Sequence, residues 1–401
     1  MRPAGGDGTW GKHRRGVGAL LRYAPAMRVV VLGGGVVGEA VAWDLSRVAP
    51  VADVTVADVD GARLETLGRR LGVATRQADL RDPAAVAALV SDADVTVGTL
   101  PSTLALGVIE QMTRLGRRHV DVSFLAEDPR SFDPLARASG ATIVYDCGVA
   151  PGLSHLLVGD GVRRLARTTM VRIDVGGLPI HPEPPFFYKA PFAPADVIEE
   201  YTRPARLVRG GVGITRPALS EAETIDVDGV GALEAFNSDG LRSLVDTVRA
   251  DAMVERTLRY PGHLTAMRVL ADAGLFDTAP VTVRGQSVSP RDVTCALLFP
   301  TWQYAPGERD LTVLLVDVAG ETADGEPRAW QWQMVDRPPD DSPLSSMART
   351  TGCPAAIVAR WLHDGRLGAA GVHPPERLGL DGHAPAMIDA LAARGIAVTA
   401  R

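Results

Sequence analysis

Apolar positions along this chain follow two successive rhythms. From Met27 onward, short apolar runs alternate with stretches in which Val, Ala and Leu recur every third or fourth position. They predict a strand over 28–32, an amphipathic helix over 36–47, a strand over 54–58 and a helix through Leu64 and Leu67. That order is a β-α-β unit. The same spacing predicts strands at 74–77, 94–98, 119–123 and 142–145, separated by helical runs that begin at Pro83, Thr103 and Ser131. Alternation of this kind specifies an α/β fold, a Rossmann-type doubly wound parallel sheet covered by helices.

Beyond Pro151 the texture changes. An apolar helix over 153–162 leads to a strand at 171–175 and a Pro-rich stretch over 178–194. Hairpin-like pieces follow at 224–227, 281–283, 294–299, 311–318 and 330–334, interleaved with helices near 241–254 and 263–273. This mixed order predicts an α+β domain with a mostly antiparallel sheet. The expected organisation is a Gly- and Arg-rich extension over 1–26 outside the fold, a dinucleotide-binding domain over 27–150 and a second, substrate-binding domain over 151–350. A helical segment over 351–401, with helices at 354–363 and 385–394, is expected to pack back on the first domain.

Composition narrows the partners. A chain of 401 residues exceeds one ordinary core. Its net charge of −6 and interspersed charges argue against a nucleic-acid surface. No apolar stretch approaches the roughly 20 residues that span a bilayer. The three cysteines, Cys147, Cys295 and Cys353, are odd in number and far apart, which suits neither a disulfide framework nor a metal site. The expectation is a cytoplasmic protein that takes a small molecule, with no metal.

Gly33-Gly34-Gly35-Val36-Val37-Gly38 follows a predicted strand and opens a predicted helix, the context a dinucleotide fingerprint requires. Gly33 makes the tight turn, Gly35 lets backbone approach a pyrophosphate, and Gly38 lets the helix close on the strand. Val36 and Val37 begin the helix, whose free amides and positive dipole end attract phosphate. The second strand ends in Asp58, about 20 residues past Gly38, where a carboxylate accepts from a ribose 2′-hydroxyl and repels a 2′-phosphate. NAD is therefore expected over NADP. Asp79 and Leu80 after the third strand, and Thr99, Leu100 and Pro101 after the fourth, are expected to line the same site.

Lysine occurs only at Lys12 and Lys189, while arginine fills nearly every other basic position. A desolvated lysine can give up its proton near neutrality and arginine cannot, so Lys189, beside Phe186, Phe187, Tyr188 and Phe192, is a candidate acid–base residue. The plain alternative is a chance survivor on a solvated loop. Asn237, the sole asparagine, suits a turn as well as a substrate contact. Asp121 ends the fifth predicted strand at the carboxyl edge where open α/β sheets bind ligands; it serves equally as a helix cap. Cys147 is a candidate reactive thiol or a small buried apolar residue. His155 reads as a core histidine. His263, with Arg259 and Tyr260 nearby, is the better candidate. Arg242 or Arg259 could clamp a carboxylate through two parallel hydrogen bonds or form a structural ion pair.

These stretches resemble the saccharopine dehydrogenase family, and within it are most similar to the lysine 6-dehydrogenases. The resemblance rests on Val31–Gly38, Asp146-Cys-Gly-Val-Ala-Pro-Gly-Leu-Ser154, Gly176-Gly-Leu-Pro179 with Tyr188-Lys189, Gly231–Arg242, Thr257-Leu-Arg-Tyr-Pro-Gly-His263 and Gly371-Val-His-Pro-Pro-Glu376. It implies a Rossmann domain joined to a substrate domain that also makes the contacts of a homodimer or higher oligomer, with Lys189, Asp121 and Cys147 around substrate. It implies an oxidoreductase acting on CH–NH groups, most concretely oxidation of the L-lysine side-chain amine with release of ammonia. Two alternatives stand beside it: reductive joining of an amine to a carbonyl compound, and a cofactor-bound sensor without catalysis. Ser102 and His155 depart from the family pattern, which bears on substrate and leaves the cofactor reading intact.

Overall fold

The computed structural model describes residues 26–190 and 194–400. Residues 1–25, most of the expected extension, and Phe192 lie outside the described residues.

The first unit runs β1 (Arg28–Leu32), α1 (Val36–Arg47), β2 (Asp53–Asp58), α2 (Gly61–Leu71), β3 (Ala74–Gln77), α3 (Pro83–Leu89), β4 (Val95–Gly98), α4 (Ser102–Arg114), β5 (Arg118–Asp121), α5 (Asp133–Ser139) and β6 (Thr142–Val144). β1 is central because its Val29, Val30, Val31 and Leu32 are all buried between covering helices. The strands pair in parallel in the order β6-β5-β4-β1-β2-β3.

α6 (Leu153–Val162) then leads into β7 (Arg167–Pro179), α7 (Pro194–Thr202), β8 (Ala205–Arg209), β9 (Val212–Arg216), β10 (Glu223–Val227), β11 (Gly231–Asn237), the short α8 (Leu244–Thr247) and β12 (Ala250–Arg259). Next come α9 (His263–Asp272), β13 (Val281–Val283), β14 (Gln286–Val288), α10 (Pro290–Trp302), β15 (Asp310–Glu321) and β16 (Pro327–Asp336). The chain closes with α11 (Ser346–His363), β17 (Gly371–His373), α12 (Pro375–Leu380), α13 (Ala384–Ala392) and β18 (Thr399–Ala400). The second sheet is ordered β10-β11-β12-β7-β15-β16-β18, with β8 and β9 on an arm from β12. Its pairings are antiparallel except β12 with β7.

Three local expectations need correction. Residues 294–299 lie in helix α10, not a strand: Ser289 accepts from the Asp292 amide at 3.2 Å, Pro290 takes the first turn, and Thr294, Leu298 and Trp302 bury one helical face. The expected helix over 241–254 is only α8, followed by β12, because residues from 250 onward are drawn into a ladder between β11 and β7 that outweighs local helical spacing. The helix expected from Pro354 begins at Ser346, capped by Ser345.

The last segment joins both sheets: β17 extends the parallel sheet beside β6, and β18 pairs with β16. α11 lies on α1, where a Cβ on Gly352 would stand 2.9 Å from that of Ala40. Inside this contact the buried Asp44 carboxylate receives Arg360 at 2.5 Å and also Arg394.

Candidate active site

In the parallel sheet the strand order reverses between β1 and β4, so the chain leaves a crevice beyond their carboxyl ends. The second sheet closes that crevice into a cavity of about 710 Å³, lined at one end by Gly33, Gly34, Gly35, Val36 and Val37. Gly33 has φ of +110°, and a Cβ there would stand 2.7 Å from the Thr99 carbonyl oxygen. Thr99 braces the loop through its hydroxyl, which donates to the Gly33 carbonyl at 3.0 Å. A Cβ on Gly38 would collide with the same carbonyl, so Gly38 serves packing, whereas one on Gly35 would meet no protein atom within 4 Å and would enter the cavity. Gly35 is the N-cap of α1 and offers no side chain to cap it, leaving the first amides of the helix free. This loop fits the pyrophosphate of a dinucleotide.

Asp58 lines the cavity and accepts from the Gly34 amide at 2.7 Å and the Asp60 amide at 2.9 Å. Arg63, also at the wall, is 4.0 Å from Asp58. Thr99, Leu100 and Pro101 line it as well. Asp79 and Leu80 do not. β3 is the edge strand, and Asp79 turns outward to Arg81 at 2.7 Å while Leu80 is buried in the core with Val30 and Ala57.

The opposite end is built by β12, the turn after β11, and α7. Glu255, Thr257 and Arg259 alternate along one face of β12 and line the cavity together with Ser238, Asp239 and Gly240. Asp196, Glu199 and Glu200 come from α7, and Tyr188 and Gln303 complete the wall. Arg259 is buried against the Tyr188 ring, 4.3 Å from its centroid, and donates to Glu200 at 2.6 Å. Burial raises the carboxyls of Glu200 and Asp196 above the usual range; Arg259 opposes this at Glu200 and the Ser102 hydroxyl opposes it at Asp196. Glu255, buried with Ser238 and Gly240 donating to it and Glu200 nearby, is pushed up to about 8. Phe124, at the wall beyond β5, lies between the guanidinium groups of Arg203 and Arg242, 4.6 and 5.1 Å from its ring centroid.

Of the residues singled out for substrate and catalysis, Tyr188 and Arg259 line the cavity; the others do not. The Lys189 ammonium is held by Glu308 at 2.6 Å, turned away from the cavity that its neighbours Tyr188 and Ala190 face. Asp121 is fully buried: one oxygen accepts from the Ser123 amide at 2.7 Å and the other lies 3.5 Å from His119, so it positions the cavity residue Ser123 from behind. Cys147 is buried, and that burial, with Asp121 and Asp146 adding, raises its thiol well above the range of a reactive cysteine. Arg242 is spent on the buried Asp146 at 2.9 Å. His263 bonds Tyr201 at 2.9 Å and the Phe186 carbonyl at 2.8 Å, and burial, with Arg259 adding, pushes it down to about 3, so it stays neutral. His155 bonds the Leu241 carbonyl at 3.1 Å inside the core. Asn237 donates to Ser220 and Glu221, both at 3.1 Å, and holds a turn. Sequence reasoning missed the α7 acids, Ser238, Asp239 and Glu255. The readable signal was the period-two spacing of Glu255, Thr257 and Arg259.

Because Lys189 spends its charge on Glu308, replacing it with methionine is expected to leave steady-state turnover within about threefold of wild type and to cost no more than about 1 kcal/mol of stability. A larger loss of kcat returns Lys189 to the chemistry.

Among the described residues no group of three or more His, Cys, Asp or Glu is placed to hold a metal ion, and no helix is long and apolar enough to cross a membrane. The fold and site define a Rossmann-type dinucleotide-binding protein whose second domain closes an acid-lined cavity over the nucleotide loop. The model of the saccharopine dehydrogenase NADP binding domain matches residues 29–144, and that of the saccharopine dehydrogenase C-terminal domain matches residues 148–396. The chain belongs to the saccharopine dehydrogenase family.

It is 24% identical over 420 residues to saccharopine dehydrogenase [NADP(+), L-glutamate-forming] of Saccharomyces cerevisiae, covering 86% of this chain and 93% of that protein. It is 21% identical over 427 residues to the mitochondrial alpha-aminoadipic semialdehyde synthase of Mus musculus, covering 89% of this chain and 46% of that longer protein. The solved apo saccharopine dehydrogenase (L-Glu forming) from Saccharomyces cerevisiae superposes with a TM-score of 0.77 at 22% identity, covering 94% of this chain and 99% of that one, a likeness of fold.

Proposed function

We propose that this chain is an NAD-dependent dehydrogenase that oxidises a carbon bearing an amine, with the side-chain amine of L-lysine as its leading substrate. The family supports a nicotinamide cofactor and chemistry at a carbon–nitrogen bond. The observation that carries the substrate reading is charge. Asp196, Glu199, Glu200, Asp239 and Glu255 line the inner cavity against Arg259 alone on that wall. Glu199 is paired with Arg203 and Arg291, Asp239 with Arg206, and Glu200 with Arg259. Asp196, which accepts from Ser102, and Glu255, which accepts from Ser238 and Gly240, have no ion-pair partner among the described residues. An ammonium entering this end meets five acids against one arginine, with Asp196 and Glu255 free of cationic partners and able to take its charge or its proton; a substrate with several carboxylates finds only Arg259, already shared with Glu200, to receive them.

The nicotinamide, when bound, supplies the hydride acceptor. Arg259 orients the substrate carboxylate, the acids hold the amine, and closure of the second sheet over the loop excludes water. The test is NAD and NADP reduction measured over L-lysine, L-ornithine and saccharopine. NADH formation from L-lysine at a kcat/KM at least tenfold that from saccharopine is expected; preference for saccharopine overturns the reading.

The NAD preference is supported by Asp58, whose carboxylate stands at the cavity wall beside Gly34 where a 2′-phosphate would be repelled. Asp58→Ser is expected to shift the ratio of kcat/KM for NAD over NADP by at least about tenfold toward NADP, roughly 1.4 kcal/mol. An unchanged ratio moves the discrimination elsewhere.

A further inference from the structure

Resting on the amine-oxidation reading, we propose that Thr257, Ser238 and Glu255 form a proton relay whose terminal acceptor, Glu255, takes the proton a substrate ammonium must lose before hydride can leave its carbon. The Ser238 Oγ lies 2.7 Å from Glu255 Oε2 and 2.7 Å from Thr257 Oγ1, and all three residues line the cavity. Two hydroxyls thus connect the cavity surface to a buried carboxylate without a break.

The relay is built into the fold. Glu255 and Thr257 are two apart on β12 and share a face, so the carboxylate and the outer hydroxyl reach the same side. Ser238 follows β11, which pairs with β12 through Asn237 and Arg256. The Gly240 amide donates to Glu255 Oε2 at 3.0 Å, and a Cβ on Gly240 would overlap the Glu255 carboxyl group, so the turn must carry glycine for the carboxylate to seat. Asn237 anchors that turn through Ser220 and Glu221 and is a positioning residue.

The charges facing Glu255 come from several elements. Glu200 approaches from α7 and is held by Arg259, and Asp174 approaches from β7 and is held by Arg256; Asp239, in the same turn as Ser238, is turned to Arg206. No cation bonds Glu255 among the described residues. Burial first, then Glu200 and Asp174, raise its carboxyl to about 8 against the Ser238 and Gly240 donors. Such a group exchanges protons in the neutral range, as an acid–base catalyst requires.

The step balances in protons. An N–H bond of the ammonium breaks as an O–H bond forms on Thr257; the Thr257 proton passes to Ser238 and the Ser238 proton to Glu255, leaving a neutral amine and a carboxylic acid. With its lone pair free, the nitrogen can become an iminium as the C–H bond gives up its electron pair to the hydride acceptor that a bound oxidised nicotinamide would supply. Because the accepting form is the carboxylate, the rate of amine oxidation rises with pH through about 8.

The test combines Glu255→Gln and Thr257→Val with three readouts: infrared difference spectroscopy of carboxyl groups on pH change, NADH binding by fluorescence, and kcat for amine oxidation against pH. In wild type a carboxyl is expected to titrate near 8 and to vanish in E255Q, while E255Q lowers kcat at least about 100-fold, abolishes the rising limb and leaves NADH binding unchanged. T257V should retain the titration and lose about tenfold in kcat, because only the outer link is cut. If E255Q does not fold, Ser238→Ala, which keeps the carboxylate and cuts the chain at its centre, is expected to lose at least as much kcat as T257V. NADH formation that E255Q or S238A leaves within threefold of wild type overturns the relay alone, as does a carboxyl titration that persists in E255Q. Wild-type enzyme that oxidises no amine overturns the reading on which the relay rests, and the relay with it.

Discussion

Replacing Gly35 with valine is expected to weaken NADH binding at least about 100-fold, some 2.7 kcal/mol, while leaving the melting temperature unchanged. The two effects separate because of where the new side chain goes. A Cβ at position 35 meets no protein atom within 4 Å and enters the cavity where the loop backbone faces the phosphates, so the fold is undisturbed and the nucleotide is displaced. Gly38→Val gives the contrast. Its Cβ would strike the Gly33 carbonyl oxygen and crowd the Thr99 hydroxyl, so both binding and stability should fall. Fluorescence titration with NADH and thermal denaturation of the two variants check the pair. If Gly35→Val binds NADH with wild-type affinity, this loop is not the phosphate cradle.

Removing the Asp44 carboxylate as Asp44→Ala is expected to destabilise the protein by about 3–5 kcal/mol, read from urea unfolding. Asp44 is completely buried on α1 and is the carboxylate partner of Arg360 on α11 and of Arg394 just past α13. Without it two guanidinium groups remain desolvated and unpaired, and that cost exceeds the loss of the pairing itself. The combined variant carrying Arg360→Met and Arg394→Met as well should therefore recover at least half of the loss. No recovery would place the cost in lost packing rather than in orphaned charge. Since α11 also presents Met347, Ala348 and Thr351 to the cavity, the Asp44 cluster links the stability of the closing segment to the shape of the site.

Much of the first unit was readable from local pattern. The inner strands β1, β4 and β6 are short, mostly apolar runs, the helices repeat an apolar face every third or fourth residue, and the loop glycines sit where a strand becomes a helix. Asp58 was legible for the same reason: it ends a strand whose start the pattern marks. Asp79 followed from the same logic and failed, because β3 is the edge strand and solvent with Arg81 claims its carboxylate. In the second unit the helix expected over 241–254 stopped just short of the site residues, and no strand was expected over 255–259. β12 runs through to Arg259 and sets Glu255, Thr257 and Arg259 on one face by simple alternation.

Lys189 teaches a different lesson. Its rarity in an arginine-rich chain is a fact of composition, and composition carries no direction; whether the side chain faces cavity or carboxylate depends on Glu308, which lies 119 residues further along the chain. What the sequence by itself determined is therefore the part governed by short-range periodicity and backbone chemistry: the parallel sheet, the glycine loop and the acid at the end of β2. The tertiary structure alone decided which charged groups are spent on one another and which remain facing the cavity. Arg242, Asp121 and His263 are satisfied by partners far away in sequence, and Glu255 is left without a cation, because burial and pairing are properties of surroundings that no local pattern encodes.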